Sequence, residues 1–243
     1  MFADDVVQKN KAKLFLYMAL MTAVIGILGY FISNYFGYGM SGFGMFLIFS
    51  GILNFVAYFF SDTIVIKSTK AKLINEEEMP RYYALVREMC ERNNLKMPRL
   101  YIIDSMAMNA FATGRNRDKS VVAVTRGLLE RLTPEEISGV VGHELSHIEN
   151  GDMLLMSALA ILVGIISILS DMFRYNALMN RFRERDNSGI MMLVGIILSL
   201  IAPLTAFLIK LAVSRTREYS ADAKGAQICG NPLFLASALN KIM

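Results

Sequence analysis

The chain holds two histidines, His143 and His147, four residues apart, and Glu144 directly follows the first. Positions i and i+4 share one face of an α-helix, so both imidazoles can reach a single metal ion. The carboxylate between them then lies within reach of a water on that ion. This makes His143 and His147 candidate ligands and Glu144 a candidate general base. A satisfied pair of core histidines is the plainer reading of the two imidazoles alone, and the adjacent glutamate argues against it. A hydrolytic zinc centre needs three protein ligands and an open fourth position for water. With no third histidine in the chain, the remaining ligand has to be a carboxylate or a cysteine. Glu218, in the run Arg217-Glu218-Tyr219-Ser220-Ala221-Asp222, is the best candidate. Asp222 shares its helical face, where a carboxylate can accept the free N–H of a ligating imidazole. Spacing alone leaves a second reading open, in which Glu218 and Asp222 belong to a solvated, arginine-flanked helix face. Glu149 and Asp152, just past the motif, read as helix-end or membrane-surface residues.

Several elements must position these groups. Thr133-Pro134-Glu135-Glu136 is a capping box with proline at the first helical position, so a helix starts there and carries His143, Glu144 and His147. Upstream, residues 62–152 have the composition of a soluble domain. Tyr82, Leu85, Val86 and Met89 recur at helical spacing after Pro80, predicting an amphipathic helix that ends near Asn93 and Asn94. Residues 99–104, 110–113 and 121–125 read as strands, the last two around a polar turn at 114–120, and together they predict a small, mostly antiparallel sheet. An extended peptide could add to an exposed edge of that sheet. Residues 121–125 read either as that edge or as a core strand. The last stretch, 213–243, is polar and helix-like with a break at Gly230-Asn231-Pro232.

The composition sets this domain among membrane segments. Hydrophobic residues make up 54% of the 243 residues, tryptophan is absent, and mean hydropathy is +0.42, which is unusual for a soluble globule. The excess lies in four charge-free or nearly charge-free blocks, 14–33, 44–61, 153–170 and 190–209, each long enough to span a bilayer. The first reads as an uncleaved anchor rather than a signal peptide. Lys9, Lys11 and Lys13 precede it and Lys67, Lys70 and Lys72 follow the second block, so the positive-inside rule places both ends of this hairpin in the cytoplasm. Arg174, Arg181, Arg183 and Arg185 lie between the third and fourth blocks, so that pair either crosses against the rule or only dips into the membrane. The expected organisation is a transmembrane hairpin at 1–61, a cytosolic catalytic part at 62–152, a second hydrophobic pair at 153–212, and a C-terminal part at 213–243 that supplies the third ligand. A net charge of +4 beside apolar blocks suits an anionic lipid surface, and no aromatic and basic interleaving argues for nucleic acid. Cys90 and Cys229 lack zinc-ligand spacing and read as buried free thiols.

The run from His143-Glu144-Leu145-Ser146-His147 through Asn150-Gly151-Asp152, followed after two apolar segments by Ser214-Arg215-Thr216-Arg217-Glu218-Tyr219-Ser220-Ala221-Asp222, resembles the HtpX family of membrane-embedded zinc metalloproteases, relatives of the CAAX prenyl proteases. The resemblance covers nearly the whole chain, including Asn109-Ala110-Phe111-Ala112-Thr113-Gly114. It implies a mainly α fold, with integral membrane helices carrying a small α+β zincin-like metalloprotease domain of the HExxH gluzincin type. It implies one zinc ion on His143, His147 and Glu218, with Glu144 as catalytic base and Asp222 orienting His143. It also implies that Asn109 and Ala110 hold the substrate backbone, although Asn109 reads equally as an ordinary turn residue. The family setting is the bacterial cytoplasmic (inner) membrane, with the active site facing the cytoplasm and membrane or misfolded proteins as substrates in quality control. In one respect the chain departs from the pattern: family members continue into a segment with a His-Pro motif, which the sequence lacks. The oxyanion donor is therefore Tyr219, Arg215 or Arg217, or it lies outside the sequence. Two non-protease readings compete. A membrane scaffold or chaperone with a structural metal predicts a fourth protein ligand. A metal transporter expects ionisable ligands inside the spans, whereas all the candidates lie in polar segments.

Overall fold

The charge-free blocks at 14–33 and 44–61 turn out to be the apolar parts of two longer helices. The structure, a computed structural model, describes residues 2–35, 37–161, 163–164, 171 and 214–242. In it α1 (Phe2–Tyr35) and α2 (Gly39–Ser68) extend past the apolar blocks on both sides, because the flanking lysines and polar residues are themselves adequate helix formers. Both helices are long and apolar enough to cross a membrane. Of the second hydrophobic pair, residues 153–161 are helical. The rest of it, including the basic segment between the two blocks, lies outside the described residues apart from 163–164 and 171.

The chain divides into two units. One comprises residues 12–58 and 158–213, the other 1–11, 59–157 and 214–243. In the first, the facing helices are joined by a polar cluster. Asn54 Nδ2 donates to Thr22 Oγ1 (2.8 Å) and to the Met18 carbonyl (3.2 Å), and Ser50 Oγ donates to Thr22 Oγ1 (3.1 Å). Among apolar surroundings such bonds fix the register of one helix against the other.

In the second unit, β1 (Lys72–Leu73), β2 (Arg99–Ile103), β3 (Ala110–Thr113) and β4 (Val121–Thr125) form one sheet in the order β1-β2-β4-β3. The β1–β2 and β3–β4 pairs are antiparallel, but the central β2–β4 pair is parallel, in the register Tyr101↔Ala123. Reading the strands as neighbours in chain order misses this. The chain leaves β2 for the far edge, reverses through β3, and reverses again into β4, so two reversals restore the direction of β2. All five residues of β4 are buried, making 121–125 a core strand and β3 an edge. The helices α3 (Pro80–Arg92), α4 (Arg126–Arg131) and α5 (Pro134–Asn150) follow. Val86, Leu100, Val122, Leu128, Val141 and Leu145 interlock them with the sheet in one core. After the undescribed stretch come α6 (Arg215–Cys229) and α7 (Pro232–Ile242), separated at Gly230 as the break in the sequence predicts. Cys90 and Cys229 are both free and buried.

The start of α5 is fixed twice over. Thr133 Oγ1 accepts the Glu136 N–H (3.3 Å), and Glu136 Oε2 accepts the Thr133 N–H (2.8 Å), completing the capping box. The same carboxylate also accepts from Ser237 Oγ and Lys241 Nζ on α7, each at 2.7 Å. The Lys241 ammonium, with the Thr133 amide and the Ser237 hydroxyl, holds the Glu136 carboxyl down at about 2. Glu136 is covered by α7 yet lies shallow beneath the surface. A depressed carboxylate contributes stability that is complete above its unfolded value near 4.5 and is lost as pH falls from there through about 2. Replacing Lys241 by Met is therefore expected to lower the denaturation midpoint at pH 7, and the gap from wild type should close as the pH is taken from 4.5 toward 2. A gap that stays constant over that range would exclude the Glu136 linkage.

Candidate metal centre

Two helices build the site, α5 with His143, Glu144 and His147, and α6 with Glu218 and Asp222. They approach backbone to backbone. A Cβ at Gly142 would stand 2.7 Å from the Gly225 carbonyl oxygen, and one at Gly225 would stand 2.8 Å from both N and Cα of His143. Only glycine fits at either position, and this contact brings α6 close enough for its carboxylates to reach the imidazoles.

His143 Nε2 and His147 Nε2 lie 3.1 Å apart, and Glu218 Oε2 lies 3.5 Å from the first and 3.9 Å from the second. All three residues offer a ligand atom within 4.8 Å of the others. Bonds of about 2.0–2.1 Å to a tetrahedral ion place its ligand atoms about 3.3 Å apart, so these separations suit one ion with little adjustment. Two imidazole nitrogens and one carboxylate oxygen form a donor set for a borderline divalent cation. The imidazole planes stand nearly perpendicular, at 84°, and the 3.1 Å separation of the two Nε2 atoms is what brings them to one locus. Asp222 Oδ1 lies 2.9 Å from His143 Nδ1 without forming a hydrogen bond to it.

Glu144 points away from solvent, and burial pushes its carboxyl above the ordinary range. Charge on His147 and His143 and the Ala112 amide of the edge strand pull it down, but burial prevails. The hydroxyl of Tyr82 on α3, buried without a hydrogen-bond partner among the described residues, lies close enough to feel the Glu144 charge. For His147, burial favours the neutral ring, but its hydrogen bond to Asp152 and the surrounding carboxylates raise its pKa overall.

The structure brings together His143, Glu144, His147, Glu218 and Asp222. Asn109 and Ala110 stand at the entrance of edge strand β3. There the Asn109 side chain accepts the Ala110 N–H (2.9 Å), while its backbone N–H donates to Thr125 Oγ1 (2.9 Å). Together these bonds tie Asn109 to the start of β3 and to the end of β4. Sequence reasoning missed two features. Asp152, assigned to the helix end, is instead buried against His147, with Oδ1 and Oδ2 both 3.2 Å from Nδ1. The available signal was Gly151, whose left-handed conformation (φ 66°) ends α5 and folds the next residue back over the last turn. The Gly142 and Gly225 contact had no signal in either helix alone.

The profile of peptidase family M48 matches residues 76–243. A protein described as "Protease HtpX homolog" from Desulforapulum autotrophicum is 45% identical over 234 residues, covering 96% of this chain and 74% of that protein. Among solved structures, the crystal structure of S. mikatae Ste24p aligns over 94% of this chain with a TM-score of 0.47 and 21% identity, and the chain spans 60% of the length of that protein.

Proposed function

Since this chain belongs to peptidase family M48 and is thereby a metalloprotease, we propose that it is a membrane-bound zinc endopeptidase in which His143, His147 and Glu218 hold one zinc ion and Glu144 is the catalytic base. The convergence of three ligand atoms beside a buried glutamate is the observation that carries this reading. Three donors among the described residues suit a catalytic centre with an open position better than the closed four-ligand site of a structural metal. A zinc ion held there supplies Lewis acidity toward water and the scissile carbonyl.

The chain's own groups do the rest. Glu144 takes a proton from the attacking water on its carboxylate and returns it to the leaving amine, and its raised affinity for protons suits it to both halves of that transfer. Asp222, 2.9 Å from His143 Nδ1, would hold that ring with Nε2 turned toward His147 and Glu218. The side of β3 that pairs with no strand among the described residues, with Asn109 and Ala110 at its start, receives an extended segment of substrate through main-chain hydrogen bonds. Main-chain recognition tolerates many side chains, which suits membrane or misfolded proteins as substrates. The setting is the bacterial cytoplasmic membrane, with the site on the cytoplasmic side. Two membrane-length helices and the lysines flanking them support this placement.

Metal analysis of the purified chain tests the proposal. Wild type is expected to carry one zinc per chain and to cleave an unfolded protein, with cleavage stopped by a chelator and restored by zinc. His143→Ala and Glu218→Ala should each lose the metal. Cleavage that persists in chelator, or a Glu218→Ala protein retaining full zinc, would overturn it.

A further inference from the structure

Among the described residues, the imidazole of His147 is the more deeply enclosed of the two, and its enclosure is built from an unexpected direction. Asp152 is 1% exposed, and both of its carboxylate oxygens lie 3.2 Å from His147 Nδ1. A carboxylate this deep is costly unless it is paired, and the imidazole N–H is the group it meets. That N–H places the ring proton on Nδ1 and leaves the Nε2 lone pair facing His143 and Glu218. The turn presenting Asp152 is held in two ways. From within, Gly151 adopts its left-handed conformation and the Asp152 N–H donates to the His147 carbonyl (3.3 Å). From outside, the first turns of α1 close over it. Asn10, 5% exposed, donates through Nδ2 to the Asn150 carbonyl (3.3 Å), and Val7 packs so tightly that a Cβ on Gly151 would stand 2.9 Å from its Cγ2.

We propose that Asp152 is the positioning residue of His147, and that Val7 and Asn10 of α1 clamp the turn that delivers it. The cytosolic start of the anchoring helix thus becomes part of the support of the metal centre. The inference rests on His147 being a ligand. It assigns the two histidines different orienting carboxylates, Asp222 at the open side of the site and Asp152 at the buried side.

Zinc affinity, measured by competition with a chromophoric chelator on the full chain in detergent, tests both parts. Loss of an orienting partner behind a ligating histidine typically costs about 10–100-fold in affinity, and Asp152→Asn is expected to fall in that range. Asn10→Ala should lose affinity in the same direction by less. With only two histidines in the chain, histidine-selective ¹⁵N labelling also resolves each ring. In the zinc-loaded wild type, His147 should carry a slowly exchanging proton on Nδ1. A folded Asp152→Asn protein within twofold of wild-type affinity would overturn the role of Asp152, and an unchanged Asn10→Ala would overturn the clamp. If Asp152→Asn does not fold, the wild-type spectrum still decides, because metal on Nδ1 of His147 contradicts the assignment. Failure of wild type to bind zinc would instead refute the metal centre itself.

Discussion

Replacing Glu144 with glutamine is expected to reduce peptide hydrolysis by about 10²–10⁴-fold, the usual contribution of a positioned general base, while leaving zinc content at the wild-type level. Glutamine matches glutamate in shape but cannot accept a proton, so the change removes the base and spares the packing. Its side chain enters the same enclosed position, beside the Ala112 amide and behind the two imidazoles. It lies outside the proposed ligand set of His143, His147 and Glu218. Turnover of an unfolded substrate and metal analysis on the same preparation separate the two effects. A Glu144→Gln protein within tenfold of wild type would remove Glu144 from the chemistry, and loss of zinc would move it into the coordination shell.

The second large effect is expected from a residue with no functional group. A side chain at Gly225 would place its Cβ 2.8 Å from the backbone N and Cα of His143, and backbone in the middle of a buried helix has nowhere to go. The strain falls on α6, which has to retreat, carrying Asp222 and Glu218 on the two turns before Gly225. Misplacement by about 1 Å in such a constellation can cost about 10²-fold in rate, and overpacking of this kind costs about 1–3 kcal/mol in stability. Gly225→Val is therefore expected to lower hydrolysis about 100-fold, weaken zinc binding and reduce the denaturation midpoint. Gly44→Ala on α2, where nothing among the described residues lies within 4 Å of the added carbon, serves as the control; it should leave hydrolysis and zinc binding unchanged and, alanine being the better helix former, should not lower the midpoint. If Gly225→Val retains wild-type zinc affinity, the close approach of α5 and α6 does not set the ligand geometry.

The legibility of the site followed the range of the interactions that build it. The α5 capping box, the break at Gly230-Asn231-Pro232 and the shared face of His143 and His147 rest on residues within a few positions of one another, and each could be read locally. The parallel β2–β4 pairing could not, since it depends on which edge the chain chooses after Ile103. Asp152 lies only five residues past His147, but the contact exists because Gly151 reverses the chain. A helical extrapolation would have aimed the same carboxylate elsewhere. Gly142 and Gly225 carry information only as a pair, across two helices far apart in sequence. Most of the second hydrophobic pair, and with it the choice between crossing and dipping, lies outside the described residues.

The order of the parts along the chain has a consequence for synthesis. His143, Glu144 and His147 emerge from the ribosome before the apolar stretch that begins at Met153, whereas Glu218 and Asp222 follow it, and Ser237 and Lys241 come later still. A newly made chain thus displays two proposed donors and the proposed base well before it has the third. The carboxylate at the head of α5 waits for α7 to engage it. A peptidase assembled in this order gains its proposed hydrolytic centre only once α6 and α7 have followed the second apolar pair and packed against α5.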